Sequence, residues 1–398
     1  MDEPTIQEFK QTEIGLIPED WEVVSFEDSI LSRNIKVGKV KQQEYKEFGK
    51  YPVIDQSQNY IAGFCDDDEK VYQGDLPVIV FGDHTRVFKF VDFPFVAGAD
   101  GVKVLLPNRK IFNPKFLFYA MLTLNIPSRG YNRHYKLLRE KKLPLPPLEE
   151  QRKIAKVLDT IQQAIELQDN IIERTKELKK ALMRKLFTEG LYGEEQKETE
   201  IGLIPKSWKV VRLGEVAKQR KEQVLPSGEG KFRYVGLEHI ESGETRIRRY
   251  NFDNKVKSTK YRFYQGDILY GKLRPYLDKA VKAHFDGICS TDIIPIQTNE
   301  SKIISDYLVN LMHLPSFIKY ATSTMTGVNH LRTSWKALSN FKLPLPPFEE
   351  QKQIAHILTT VDEKIEIEQR KKQLLKELFK TMLHKLMRGE IRLKGVEV

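Results

Sequence analysis

The stretch "KLPLPPLEEQRKIAKVLDTI", Lys142–Ile161, returns as "KLPLPPFEEQKQIAHILTTV", Lys342–Val361, with 13 of 20 positions identical. In each copy a proline-stiffened segment leads into Glu-Glu-Gln and then into an apolar pattern. Pro147 and Pro347 suit a first helical turn, where a missing N–H leaves nothing unsatisfied. Glu149/Glu150 and Glu349/Glu350 then face the positive end of the helix. Ile154, Leu158, Ile161, Ile165 and Ile172 fall three, four or seven apart. Ile354, Leu358, Val361 and Ile365 keep this spacing, and so, ten residues on from Ile365, do Leu375, Phe379, Met382 and Leu386. This spacing predicts two helices, uninterrupted until Gly190 and Gly389 supply C-terminal stops. At about 40 residues each, they are roughly 60 Å long.

A helix of that length with one narrow apolar stripe needs a partner. The 3–4 spacing is the seam of a coiled coil, and the nearest matching stripe is the other copy. Polar residues interrupt it at Gln168 and Thr175, and at Glu368 and Lys372, after which the first stripe is expected to move to Leu178, Leu182 and Leu186. A second repeat, "TEIGLIPEDWEVV" (Thr12–Val24) against "TEIGLIPKSWKVV" (Thr199–Val211), agrees at 10 of 13 positions. The chain therefore reads arm, variable block, hinge, long helix, and then the same again. The blocks are rich in short β-like runs such as "LPVIVFGD" and "DILYGKLRP", and they resemble one another only in scraps. If a two-fold axis relates the repeats, the helices pair antiparallel. The expected fold is α+β: two globular mixed α/β domains joined by two long helices in an antiparallel coiled coil, a pseudo-two-fold internal repeat. The expected divisions are 1–147 (first domain with its arm), 148–190 (first helix), 191–347 (second domain with arm repeat) and 348–398 (second helix and tail).

Composition bounds the function. The 398 residues exceed one ordinary core. A net charge of +10, from 65 Lys+Arg against 55 Asp+Glu, favours a polyanionic partner. The opening "MDEPTIQEFK" is too acidic and polar for a signal peptide. No run approaches the roughly 18 apolar residues of a membrane span, and two cysteines suit a reducing cytoplasm. No phosphate-binding loop, zinc spacing or nucleophile motif stands out. "ADGVKV" (Ala99–Val104) resembles an acid-then-lysine nuclease motif but lacks a partner carboxylate, and reads as a strand. No metal, cofactor or catalytic residue is expected.

Binding signals are richer. The second block interleaves Arg246, Arg248 and Arg249 with tyrosines, adds Lys272, Arg274 and Tyr276 in "YGKLRPYLDK", and ends in "MTGVNHLRTSWK" with Asn329, His330 and Arg332. The first block offers Arg86 in "GDHTRVFK" and Arg129, Asn132, Arg133 and His134 in "SRGYNRHYK". Lys and Arg neutralise phosphates, and Arg and Asn read base edges. The Gly130-Tyr-Asn132 and Gly327-Val-Asn329 stretches stand at comparable places before their hinges.

The motifs "LPLPPLEEQRKIAKVLD", "LPLPPFEEQKQIAHIL", "IGLIPEDW" and "IGLIPKSW" resemble the repeated regions of the DNA-specificity subunit of type I restriction–modification systems. The resemblance extends to the whole order of blocks and helices. It implies two target-recognition domains reading a bipartite double-stranded DNA site, one half each, with the helices as ruler. It further implies two methyltransferase subunits and two restriction/translocase subunits as partners that carry the chemistry. Two competing readings are a coiled-coil tether with protein-binding end domains and a stand-alone enzyme.

Overall fold

The structure, a computed structural model, describes residues 8–31, 35, 37–99, 101–128, 130, 132–256 and 258–396. The two long helices span Leu148–Leu186 and Phe348–Met387, 39 and 40 residues. The chain divides into two compact units, one of Met1–Asp169 with Arg370–Val398 and the other of Asn170–Gln369. Each long helix thus gives one half to each unit.

In unit 1 the arm folds as a hairpin of Phe9–Thr12 and Gly15–Pro18. Its turn needs Gly15, whose φ of 104° is costly for a side-chain-bearing residue. The next strand, Glu22–Ser25, pairs with the hinge strand Lys142–Leu145. The block centres on an antiparallel sheet in which β1 (Val78–Gly82) lies between β2 (Phe88–Val91) and β3 (Val102–Leu105). A second, four-stranded sheet adjoins it in sequence, and helix Pro114–Leu122 starts with the Asn113 side chain accepting from Phe116 N. Trp21, Phe26, Phe116, Leu138, Leu143, Ile154, Leu158 and Leu386 share one buried core.

Unit 2 repeats the plan. The hairpin Gln196–Thr199 and Gly202–Pro205 turns at Gly202, φ 105°, and Lys209–Arg212 pairs with the hinge strand Lys342–Leu345. Here β4 (Ile268–Gly271) lies between β5 (Ala280–Lys282) and β6 (Ile293–Thr298). The extra length goes into a five-stranded sheet and a second helix, Pro315–Ser323. Met183, Leu186, Trp208, Leu213, Leu343, Ile354 and Leu358 belong to its core.

The repeated Glu-Glu-Gln is a clamp in each unit. Trp208, fully buried, donates its indole N–H to Glu350 Oε2 at 2.8 Å, and Leu191 N donates to Glu350 Oε1 at 2.9 Å. In unit 1 Trp21 donates to Glu150 Oε2 at 3.1 Å, while Arg392 and Leu393 N complete that carboxylate. Arg392 also donates to Asp20 and holds its carboxyl below the usual aspartate range. The glutamine fastens the block: Gln151 accepts from Asn113 N at 2.8 Å and donates to Ile111 O and Pro146 O. Gln351 does the same with Ile304 N, Lys302 O and Pro346 O. One short motif therefore joins helix start, hinge and block.

Along the seam Ile154, Leu158, Ile165, Ile172, Ile354, Leu358 and Ile365 are buried, and Ile161, Val361, Leu375, Phe379 and Met382 half-buried. In unit 1 Phe379 packs on the Tyr119 ring at 5.9 Å, and Lys372 pairs with Asp169. The expected shift of the first stripe to Leu178 is corrected: Leu178 is 53% exposed, and the row runs on through Thr175 and buried Lys179. Lys179 lies there by burying its aliphatic stem while its ammonium meets Asp362 at 2.6 Å. Polar residues stay in the seam, each with a local partner, and do not displace it.

Candidate nucleic-acid interface

In each unit two loops meet at the end of the central hairpin. In unit 1 these are residues 83–87, between β1 and β2, and the loop ahead of the short helix Tyr135–Arg139. Buried Asp83 joins them. Its Oδ1 accepts from His134 N at 2.8 Å and Tyr135 N at 2.7 Å, and its carbonyl accepts from His134 N at 2.9 Å. Gln56 fastens the first loop from below, its Oε1 taking His84 N and its carbonyl taking the Thr85 hydroxyl. A Cβ at Gly82 would come within 2.3 Å of Thr85 Oγ1, so the hairpin can close this tightly only on glycine.

In unit 2 the equivalent loop, 272–279, joins β4 to β5 and meets the loop ahead of helix Trp335–Leu338. Thr333 N donates to Lys272 O at 3.0 Å, matching the His134–Asp83 backbone bond, and Arg274 N donates to Leu331 O at 2.9 Å. Arg332 Nε meets Asp292 Oδ1 at 2.8 Å. Asp278 sits at a left-handed φ of 51°, its carboxylate against buried His313 Nδ1 at 2.7 Å, while His313 Nε2 donates to Ala280 O. Both loop pairs are rigidly backed by buried polar groups, and both carry basic side chains outward.

The chain matches a family profile described as the type I restriction modification DNA specificity domain at residues 18–177 and 205–377. The chain belongs to this family. It is 27% identical over 417 residues to the type I restriction enzyme MjaVIII specificity subunit of Methanocaldococcus jannaschii, covering 98% of this chain and 97% of that one. It is 29% identical over 235 residues to the EcoDI specificity subunit of Escherichia coli, covering 53% and 52%. The crystal structure of a type I restriction-modification system S subunit from M. genitalium superposes with a TM-score of 0.61 at 18% identity over 92% of this chain and 96% of that chain. At that identity the likeness establishes the fold alone.

Within this specificity-family chain the structure sorts the residues named from the sequence. Arg86, Asn132 and Arg133 stand exposed on the unit 1 loop pair, while Arg129 lies outside the described residues. His134 has no exposed surface and serves the Asp83 knot, so it offers nothing to a duplex. Lys272, Arg274, Tyr276, Asn329, His330 and Arg332 gather on the unit 2 loop pair. Arg246, Arg248 and Arg249 do not join them. Arg246 pairs with Glu363 at 2.9 Å, Arg248 with Glu244 at 2.9 Å, and Arg249 with Glu241. With Thr245 bonded to Asp362, the first of these fastens the block to the second long helix. Arg246 looked like a phosphate ligand because a linear sequence hides Glu363 on the distant helix, whereas Arg248 and Arg249 are taken up by carboxylates only four and eight residues away.

Nearby histidines are held neutral. Burial, with Arg249 adding to it, pushes His239 below its ordinary range, and its Nδ1 accepts from Gly236 N at 2.9 Å. Burial, then Arg246 and Arg233, does the same to His284. Sequence reading missed Asp83, Asp278, His313 and Gln56, the groups that shape the loops without reaching outward. The only signal for them was the place of Asp83 three residues before Arg86. Among the described residues no set of three His, Cys, Asp or Glu could hold a metal, and no helix is long and apolar enough to cross a membrane.

Proposed function

We propose that the chain is the DNA-recognition subunit of a cytoplasmic type I restriction–modification complex, each loop pair reading one half of a bipartite double-stranded site. The observation that carries this reading is the duplicated loop pair. Two blocks of dissimilar sequence build the same backbone link between hairpin and pre-helix loop and turn different exposed side chains outward from it, as two readers of different half-sites require. Recognition domains within 1–147 and 191–347 then alternate with helical segments at 148–190 and 348–398.

The long helices pair antiparallel in this account. Supporting it, unit 1 packs the N-terminal half of the first helix with the C-terminal half of the second, and unit 2 packs the converse halves. A rod of roughly 60 Å corresponds to about 17 base pairs and can set a spacer between half-sites. Two methyltransferase subunits and two restriction/translocase subunits supply methylation and cleavage, and this chain is non-catalytic.

Gel shift of the chain with its methyltransferase partner tests the reading. A duplex carrying both half-sites should bind at least ~10³-fold tighter than a scrambled one at physiological salt. Equal affinity for both duplexes would refute it.

A further inference from the structure

Two arginines share an unusual backbone. Arg86 and Arg274 lie at φ 64° and 51°, and Asp278 is the one other side-chain-bearing residue at positive φ among the described residues. Both arginines are exposed on the hairpin that follows the glycine of the central strand, Gly82 in one block and Gly271 in the other. Left-handed backbone is strained for any residue with a Cβ, and Arg274 also precedes Pro275, which narrows its choices further. Glycine or asparagine would form either turn with less strain.

Packing does not explain the arginines. The Arg274 guanidinium has no bonding partner among the described residues. Arg86 gives one N–H to Ile126 O at 3.0 Å, which aims its guanidinium and leaves the other nitrogens open. A strained, exposed residue held by a well-fastened loop marks work done outside the fold.

We propose that Arg274 and Arg86 are specificity-determining residues, each reading a guanine in the half-site of its own block through paired N–H bonds to O6 and N7 in the major groove. This rests on the loop pairs being the DNA readers. A planar guanidinium matches the two guanine acceptors as no other side chain does. The left-handed turn fixes the direction in which each Cα–Cβ bond leaves the loop, and at Arg86 the bond to Ile126 O aims the guanidinium as well.

The test replaces Arg274 with glycine, which accepts the backbone but removes the guanidinium. Arg274→Lys keeps charge without the fork, and Arg274→Asn is a second residue tolerant of this φ. Binding of the complex with its methyltransferase partner is selected against randomised duplexes, and thermal unfolding is followed alongside. Arg274→Gly and Arg274→Asn should unfold no lower than wild type. Both, and Arg274→Lys, should lose about ten- to a hundredfold preference for one G·C pair in one half-site. Arg86→Gly should do the same in the other half. A uniform weakening with unchanged preference, rescued by Lys, would make the contact a phosphate contact and overturn the proposal. So would a wild-type half-site with no G·C pair. Wild-type complex that selects no bipartite sequence at all would instead defeat the underlying reading.

Discussion

Removing the Glu350 carboxylate should damage unit 2 more than any surface ion pair could. A buried donor, the Trp208 indole, and a half-buried one, Leu191 N, converge on it at 2.8 and 2.9 Å, and Glu350 itself is 2% exposed. In Glu350→Ala both N–H groups lose their acceptor, and the buried indole gains no water in its place. Each orphaned donor costs about 1–3 kcal/mol, the upper end applying where the acceptor was charged. The sum, about 2–6 kcal/mol, is a large part of a domain's ordinary 5–15 kcal/mol. Glu350→Gln keeps one carbonyl acceptor and should cost about half as much. Trp208→Phe removes the donor, and with Glu350→Gln it closes a double-mutant cycle whose coupling should fall at about 1–3 kcal/mol. Urea unfolding gives the free energies, and exchange protection at the Leu191 amide localises the loss. A Glu350→Ala variant within 0.5 kcal/mol of wild type would refute the clamp.

Two further outcomes follow from the same structure. Deleting one heptad from each long helix at matched positions shortens the rod by about 10 Å, some three base pairs, so methylome mapping should show a shorter spacer, and an unchanged spacer would exclude the ruler. His239 has its pKa lowered by burial, and its Nδ1 must stay unprotonated to accept from Gly236. Its contribution is therefore complete above the ordinary histidine value of about 6.5 and is lost as pH falls through the lower folded value. Protection at the Gly236 amide should drop between pH 7.5 and 5.5, more than in His239→Asn; protection that rises on acidification would contradict this.

Much of the long-range plan was legible because it was written twice. Two copies of the same hinge and helix start expose a repeat that no single copy would, and strict 3–4 spacing has one helical reading. The roles of Glu150 and Glu350 were only half legible. Their position predicted a favourable interaction with the helix end, yet each serves chiefly as acceptor for a tryptophan more than a hundred residues away in sequence. Leu178, expected to continue the stripe, misled for a related reason. A lysine in a seam reads as an interruption until Asp362 is known to lie beside it. The loop residues split the same way. Exposed Arg86 and Arg274 were visible as residue types, but the strained turns that aim them depend on tertiary bonds from Gln56, Ile126 and Leu331. Charge in a sequence names candidates, and only packing tells a ligand-facing arginine from a brace such as Arg246.

Exchange of residues 30–140 for the block of another family member, followed by mapping of methylated adenines, tests most directly whether each block reads its own half-site. One half of the recognised sequence should change while the other half and the spacer persist. Changes in both halves, or in neither, would contradict the account.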